Sequence, residues 1–99
     1  MRVYPRYSKG MNSEQFLQSL RLDGFPDPVE VQQPPNGRLS THEHPFEVRA
    51  LVMEGDITID LDGVSIVYKA GDIFQLEFKQ PHAESYGPKG VKYLASRKQ

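Results

Sequence analysis

The 99-residue sequence predicts an all-β protein, an antiparallel barrel or sandwich preceded by one short helix. Short runs that alternate apolar and polar residues recur between positions 29 and 95. Turn signals such as Asp62-Gly63 and Gly71-Asp72 separate these runs, and no helical pattern lies between them. A chain of this length forms one domain, so any functional site must be built from elements that share a single core.

The N-terminal quarter of the chain differs from the rest. Residues 1–11 show no periodicity and are predicted to form an extended arm. Asn12, with Gln15 three residues later, predicts a helix N-cap with a capping box, and residues 12–24 are expected to form a short helix packed on the barrel. The apolar stripe of this helix consists of Phe16, Leu17 and Leu20. Residues 25–99 are then expected to form the barrel.

The predicted strands are short and evenly spaced. They lie at 29–32, 47–53, 57–61, 64–68, 73–76 and 91–95, with a further short strand after Pro81. The aromatic side chains on and near these strands are expected to fill the core or to line a pocket for an apolar substrate: Phe46, Phe74, Phe78 and Tyr86.

Composition excludes several classes of function. The formal charge is −1 and the twelve Lys and Arg residues are scattered, which argues against a nucleic-acid partner. No apolar run approaches the roughly 18 residues that span a bilayer, and the first ten residues lack the apolar stretch of a secretory signal. A cytoplasmic protein without a membrane partner is expected. Cysteine is absent, so histidine and carboxylate must carry any metal chemistry.

The three histidines of the chain are the main candidates for such chemistry. His42 and His44 are two residues apart on a segment that reads as extended, so their side chains leave the same face with Cα atoms roughly 6.6 Å apart. His82 can complete one face of a coordination sphere. Imidazole suits first-row divalent ions such as Mn, Fe, Ni and Zn. Alone, a His-x-His pair is a weak signal, because two histidines in a polar loop more often face solvent.

At these residues the chain resembles the cupin superfamily. The first motif of that family runs glycine, five residues, His-x-His, three or four residues, glutamate, six residues, glycine. Gly37 precedes His42 by a gap of four residues, His44 follows, and Gly55 stands at the closing position. The segment also resembles small single-domain cupins with the pattern H-x-H-x-F-[DE]-x-R.

The second family motif runs glycine, five residues, proline, one residue, glycine, two residues, histidine, three residues, asparagine. Gly71 and His82 have the right separation. Three family residues are replaced: the proline by Glu77, the glycine by Lys79 and the asparagine by Tyr86. The resemblance covers residues 37–86. It implies a jelly-roll β-barrel in which all three histidines bind one divalent metal ion, and it is compatible with dioxygenase, isomerase, epimerase or decarboxylase activity.

The main departure concerns the glutamate that is the fourth ligand of the family. Counting from His42 and back from Gly55 places it at position 48, where this chain has Val48. Glu47 lies one residue early, and in a regular strand that offset turns a side chain out of the barrel. A bulge after Pro45 would turn it inward. The sequence therefore leaves two roles for Glu47, a metal ligand or a surface carboxylate.

Other residues compete for the vacant position. Glu84 and Tyr86 share the parity of His82 and are expected to face the interior, where they are candidate catalytic residues and Glu84 is a sensible base or ligand. Gln75, on the preceding strand, offers a neutral oxygen. Arg49 is expected to face the side opposite Val48 and to pair with a neighbouring acid.

These residues support two functions of different class. The first is a metal-dependent enzyme, such as a dioxygenase or isomerase, that acts on a small organic molecule while Glu84, Glu47 or Tyr86 moves a proton. The alternative is a barrel that binds or senses a small molecule without catalysis, which the valine at position 48 favours. In either case the N-terminal arm, through Val3 and Tyr4, could add a strand to a second copy, and a homodimer is expected.

Overall fold

The computed structural model describes residues 10–99. It contains one helix and six strands: α1 (Ser13–Leu22), β1 (Val29–Gln33), β2 (Arg38–His42), β3 (Glu47–Leu61), β4 (Val64–Lys69), β5 (Ile73–Leu76) and β6 (His82–Lys98). The predicted all-β class with one short helix is confirmed. Most of the predicted arm, including Val3 and Tyr4, lies outside the described residues. Within residues 10–99, no helix has both the length and the apolar character needed to cross a membrane.

The predicted helix begins where its capping signal places it. The backbone N–H of Gln15 donates to Oδ1 of Asn12 at 2.8 Å, and the backbone N–H of Asn12 donates to Oε1 of Gln15 at 3.1 Å. Helix α1 ends at Leu22, and the backbone N–H of Asp23 donates to the carbonyl of Ser19 at 3.2 Å. The capping box therefore satisfies two otherwise unpaired backbone donors of the first turn.

Two long strands organise the barrel. β3 and β6 pair antiparallel along nearly their whole lengths, so the sequence prediction of separate shorter strands in both regions is corrected. Each strand continues through a break in register, which falls between Val52 and Ile57 on β3. Gly55 sits in that break with φ +74°, and a Cβ there would overlap the carbonyl oxygen of Gly90. Only glycine permits this close approach of the two strands.

The break divides the strands between two four-stranded layers. One layer consists of β1, the second half of β6, the first half of β3, and β5. The other consists of β2, the first half of β6, the second half of β3, and β4. Asp62 and Gly63 both have positive φ and close the β3–β4 hairpin, as their sequence predicts. The arrangement is consistent with a jelly roll.

The interior between the layers is apolar. It is filled by Val48, Ala50, Val52, Ile57, Ile59, Tyr68, Phe74, Leu76, Tyr86, Val91, Tyr93 and Ala95. A second cluster lies on the outer face of the first layer beneath α1: Phe16, Leu20, Phe25, Leu51 and Ile73. Successive residues of β3 thus alternate between the barrel interior and the helix, as a strand buried on both faces requires.

Arg49 lies on the face of β3 beneath α1 and is fully buried. Its guanidinium pairs with Asp23 at 2.7 Å, Nη1 donates to the carbonyl of Ser19 at 3.2 Å, and Nε donates to Oε1 of Gln75 at 3.0 Å. The expected ion pair on the side opposite Val48 is therefore present. It joins the end of the helix to the first layer.

Candidate metal centre

The three histidines meet at one end of the barrel interior. His42, at the end of β2, lies directly across from His82, at the start of β6, and His44 follows two residues after His42. Ring centroids are 4.3 Å apart for His42 and His82 and 4.9 Å apart for His42 and His44. One donor nitrogen from each of the three rings lies within 4.8 Å of the others. The convergence predicted from the sequence is present.

Backbone carbonyls set the orientation of two of the rings. Nδ1 of His42 lies 2.7 Å from the carbonyl oxygen of Ser40, and Nδ1 of His82 lies 3.0 Å from that of Gln80. A carbonyl oxygen can only accept a hydrogen bond, so each Nδ1 is the protonated nitrogen. In the neutral ring, Nε2 then carries the lone pair that binds metals.

The Nε2 atom of His82 is buried and has no hydrogen-bond partner among residues 10–99. Oε2 of Glu84 lies 3.2 Å from it, within ion-pair distance. A nitrogen lone pair facing a carboxylate at this distance is repulsive unless a cation, either a proton or a metal ion, lies between them. The donor set therefore fits a bound cation.

The spacing of the donors is close to that of a metal centre. Two nitrogens bound to one ion at about 2.1 Å each are about 3.4 Å apart at tetrahedral angles. Since the donor nitrogens of the three histidines lie within 4.8 Å of one another, a contraction of at most about 1.4 Å brings them to this spacing. Side-chain rotations of His42 and His44, which are only partly buried, can supply it.

Glu84 is the carboxylate of this group. Its Oε2 lies 3.6 Å from Nε2 of His42, and its Oε1 accepts a hydrogen bond from the Tyr86 hydroxyl at 2.9 Å. His82, Glu84 and Tyr86 alternate along β6 and are all buried. The expectation from parity that these three side chains face the interior is confirmed.

Burial and hydrogen bonding oppose each other in setting the charges here. Burial acts to raise the pKa of Glu84, but contacts with His82 and Tyr86 outweigh it, and the pKa lies below its usual range. Burial likewise acts to lower the pKa of His82, but the adjacent carboxylate and the Gln80 carbonyl raise it above its usual value. Burial, followed by Glu84, raises the pKa of Tyr86. Glu84 is therefore ionised near neutral pH, and Tyr86 remains a hydrogen-bond donor.

The pKa of His44 shifts in the direction opposite to that of His82. Burial, followed by the neighbouring rings of His42 and His82, lowers its pKa. Its ring stacks on Phe46 with centroids 5.1 Å apart and planes 10° from parallel. His44 is thus a neutral imidazole near pH 7, which is the form that binds metals.

Two of the predicted ligand candidates are not part of this group, and the expectation is corrected. Between Glu47 and Val52 the register of β3 against β6 is regular, so no bulge turns Glu47 inward and it shares the outer face with Arg49. Gln75 also lies on that face, where its Oε1 accepts from Arg49. The inward position is occupied by Val48, as alternation requires.

A small cavity of about 60 Å³ lies beside the histidine group and is lined by one of its members, His44. Its polar lining residues are His44, Glu84, Tyr93 and Arg97, and its apolar lining residues include Val48, Phe74 and Leu76. Arg97 is a site residue that the sequence-based prediction missed. Its parity with Tyr93 and Ala95 on the last strand could have revealed it, because those two residues face the core.

Comparisons with known proteins agree on the fold. The family model described as "Cupin domain" matches residues 29–94. An RmlC-like cupin from Shewanella frigidimarina aligns with a TM-score of 0.63 at 24% identity over 72% of this chain and 63% of that protein. A protein with a double-stranded β-helix domain from Klebsiella pneumoniae aligns with a TM-score of 0.61 at 25% identity, over 73% of this chain and 67% of that protein.

A predicted oxalate decarboxylase from Thermotoga maritima aligns with a TM-score of 0.62 at 15% identity over 82% of this chain and 72% of that protein. A search of curated proteins gives no match. The chain spans less than two thirds of the Shewanella protein, and a likeness at these identities concerns the fold.

Proposed function

The chain belongs to the cupin superfamily, and from this premise we propose that it is a metal-dependent enzyme acting on a small organic molecule. His42, His44 and His82 hold one divalent ion, with Mn, Fe, Ni and Zn as the candidates. The observation that carries the proposal is the convergence of the three histidines, with one donor nitrogen of each lying within 4.8 Å of the others. Nε2 of His82 is buried, and it lies 3.2 Å from Oε2 of Glu84.

An ion held there would supply Lewis acidity to an oxygen of the substrate. The protein itself supplies the group that moves a proton. Glu84 is ionised near neutral pH, and its Oε2 lies among the histidine nitrogens. A substrate bound at this point can give up a proton to Oε2. Tyr86 acts through Glu84, because its hydroxyl donates to Oε1 and holds the carboxylate in one orientation.

The surroundings favour such chemistry. The cavity beside the histidine group has mainly apolar lining residues, and the lower local dielectric there strengthens the interactions of a charged group. The interior of the barrel also fixes the position of Glu84, which is only 8% exposed. A rigid, partly dry base near a metal is a working arrangement for abstracting a proton from an activated substrate.

Metal uptake tests the first part of the proposal. Protein purified without chelators is assayed for metal content, and its affinity for each divalent ion is measured by competition with a coloured chelator. We expect one ion per chain, and in His82→Ala an affinity lower by more than about a hundredfold, since even residues outside the ligand set contribute tenfold to a hundredfold. A folded wild-type protein that binds none of the four ions would overturn the proposal, as would equal binding by the variant.

Glu84→Gln tests the second part, and Glu47→Gln is its matched control on the outer face. Compounds that raise the melting temperature of the metal-loaded protein are followed for turnover. We expect Glu84→Gln to bind such a compound and to lose turnover, while Glu47→Gln resembles the wild type. A wild-type protein that binds a compound tightly and never converts it would instead support the alternative, a binding or sensing barrel, which the absence of a carboxylate at Val48 favours.

A further inference from the structure

We infer that the cavity beside the histidines binds a small monocarboxylate, whose carboxylate group pairs with Arg97. This inference deepens the proposed function, since it names the substrate class of the same site. It is carried by three features of the cavity: a positive charge at its mouth, apolar walls, and a small volume.

The position of Arg97 is set by the strand. Arg97 pairs in register with Val48, whose side chain faces the barrel interior, so Arg97 starts from the same face at the end of the first layer. Its guanidinium carbon lies 5.6 Å from the centroid of the Phe46 ring, which in turn stacks on His44. Cation–π stacking therefore holds the charge beside the histidine group, at the mouth of the cavity.

The charge of Arg97 has no anionic partner within the described chain. No carboxylate of residues 10–99 lies within ion-pair distance of its guanidinium. Glu84 also lines the cavity, but its oxygens already contact Tyr86 and two histidines. A guanidinium presents donors in a fork that matches a carboxylate, so an incoming carboxylate is the ligand that this mouth recognises.

The rest of the cavity limits the size and polarity of the carbon body attached to the carboxylate. Six of its ten lining residues are apolar, among them Val48, Phe74 and Leu76, and these offer no hydrogen bonds to a sugar. The polar lining residues besides Arg97 are His44, Glu84 and Tyr93. About 10–15 Å³ of such volume holds one water-sized atom, so about 60 Å³ holds roughly four to six non-hydrogen atoms. A carboxylate with a short carbon body, as in a three- or four-carbon acid, fits this space.

Val48 makes this cavity possible. A glutamate at this inward position would carry a negative charge into the apolar wall, next to the intended site of the carboxylate. Glu84 already lines the cavity, but its charge is offset by contacts with His42, His82 and Tyr86. A second carboxylate on the wall would add a negative charge beside that of the ligand, and like charges at short range repel each other. The valine therefore both enlarges the apolar surface and removes a charge that would oppose the ligand.

The test compares propionate with propionamide, which has nearly the same shape and no charge. Each is titrated into metal-free and zinc-loaded wild-type protein, into Arg97→Gln, and into Arg38→Gln, and binding is followed by NMR. Arg38 is an exposed arginine on β2 whose register partner, Ser85, lies between the inward-facing Glu84 and Tyr86, so Arg38 lies on the outer face. Arg38→Gln is therefore matched in charge to Arg97→Gln.

We expect propionate to bind at least about tenfold more tightly than propionamide, the range of a charge-assisted hydrogen bond. Arg97→Gln should abolish this preference, and Arg38→Gln should keep it. Equal binding of the two compounds, or a preference that survives in Arg97→Gln, would overturn the inference. Preference that depends on Arg97 in a protein that binds no metal would support this inference while overturning the proposed function. Metal uptake without any preference for propionate would support the proposed function and overturn this inference.

Discussion

Replacing Arg49 with alanine tests whether this residue serves the fold or the histidine site. The side chain is fully buried and is held by Asp23, Ser19 and Gln75, with the Phe25 ring 4.3 Å from its guanidinium carbon. Removing one partner of a fully buried ion pair costs about 3–5 kcal/mol. Asp23 is 48% exposed and regains water, so the loss should fall near the lower end, about 3 kcal/mol. For a domain of this size that corresponds to a fall in Tm of roughly 12–24 °C.

Urea unfolding followed by circular dichroism measures this loss, and two further variants calibrate it. Asp23→Asn should cost about 2 kcal/mol, because it leaves the buried guanidinium of Arg49 without a carboxylate, although the amide oxygen of asparagine can still accept a hydrogen bond from it. Arg49→Lys keeps the charge but loses the planar fork, and should fall between the other two. Zinc affinity is measured on the folded fraction of each variant. A loss below about 1 kcal/mol in Arg49→Ala, or a fall in zinc affinity comparable to that of His82→Ala, would refute the assignment of Arg49 to the fold.

Three further outcomes are expected. Zinc affinity should fall as the pH is lowered, beginning above the ordinary histidine pKa of 6.5, because the pKa of His82 is raised and a proton competes for its Nε2. Each displaced proton contributes about tenfold per pH unit, and a flat profile between pH 8 and 6 would contradict this. Gly55→Ala should destabilise the protein by more than about 2 kcal/mol in urea, since a Cβ there would overlap Gly90. Gly63→Ala should cost only about 1 kcal/mol, since no atom of residues 10–99 lies within contact distance of its Cβ. Val48→Glu should raise zinc affinity about tenfold, the range expected of an added carboxylate beside a metal. The same variant should abolish the binding of propionate. If both affinities are unchanged, position 48 does not face the site.

The elements that the sequence predicted well are those with local signals. The capping box of Asn12 and Gln15 and the hairpin turn at Asp62-Gly63 depend on residues three apart or adjacent, and both are present. The inward direction of Glu84 followed from simple alternation with His82. Such features need no knowledge of how distant segments meet.

The features that the sequence did not predict depend on contacts between distant residues. β3 and β6 continue through their glycines because they pair with each other, and neither strand alone shows this. Gln75 has a suitable oxygen for a metal, but its side chain lies on the outer face of the first layer, beneath the helix. There it accepts a hydrogen bond from Arg49, which also pairs with Asp23 at the end of the helix. The carbonyls of Ser40 and Gln80, which orient two of the histidines, are backbone atoms and carry no sequence signal.

The carboxylate of the site comes from a different strand than the family motif suggests, and this changes how the site is held together. With Val48 on β3, the nearby carboxylate is Glu84, which lies two residues from His82 on β6. The separation of these two groups is set by the repeat of a single strand, which is fixed by backbone geometry. A shift of β6 against β3 would therefore move the base and the third histidine together. We infer that the pairing of β2 with β6, which brings His42 to His82, is the contact between strands on which the geometry of the metal centre depends most.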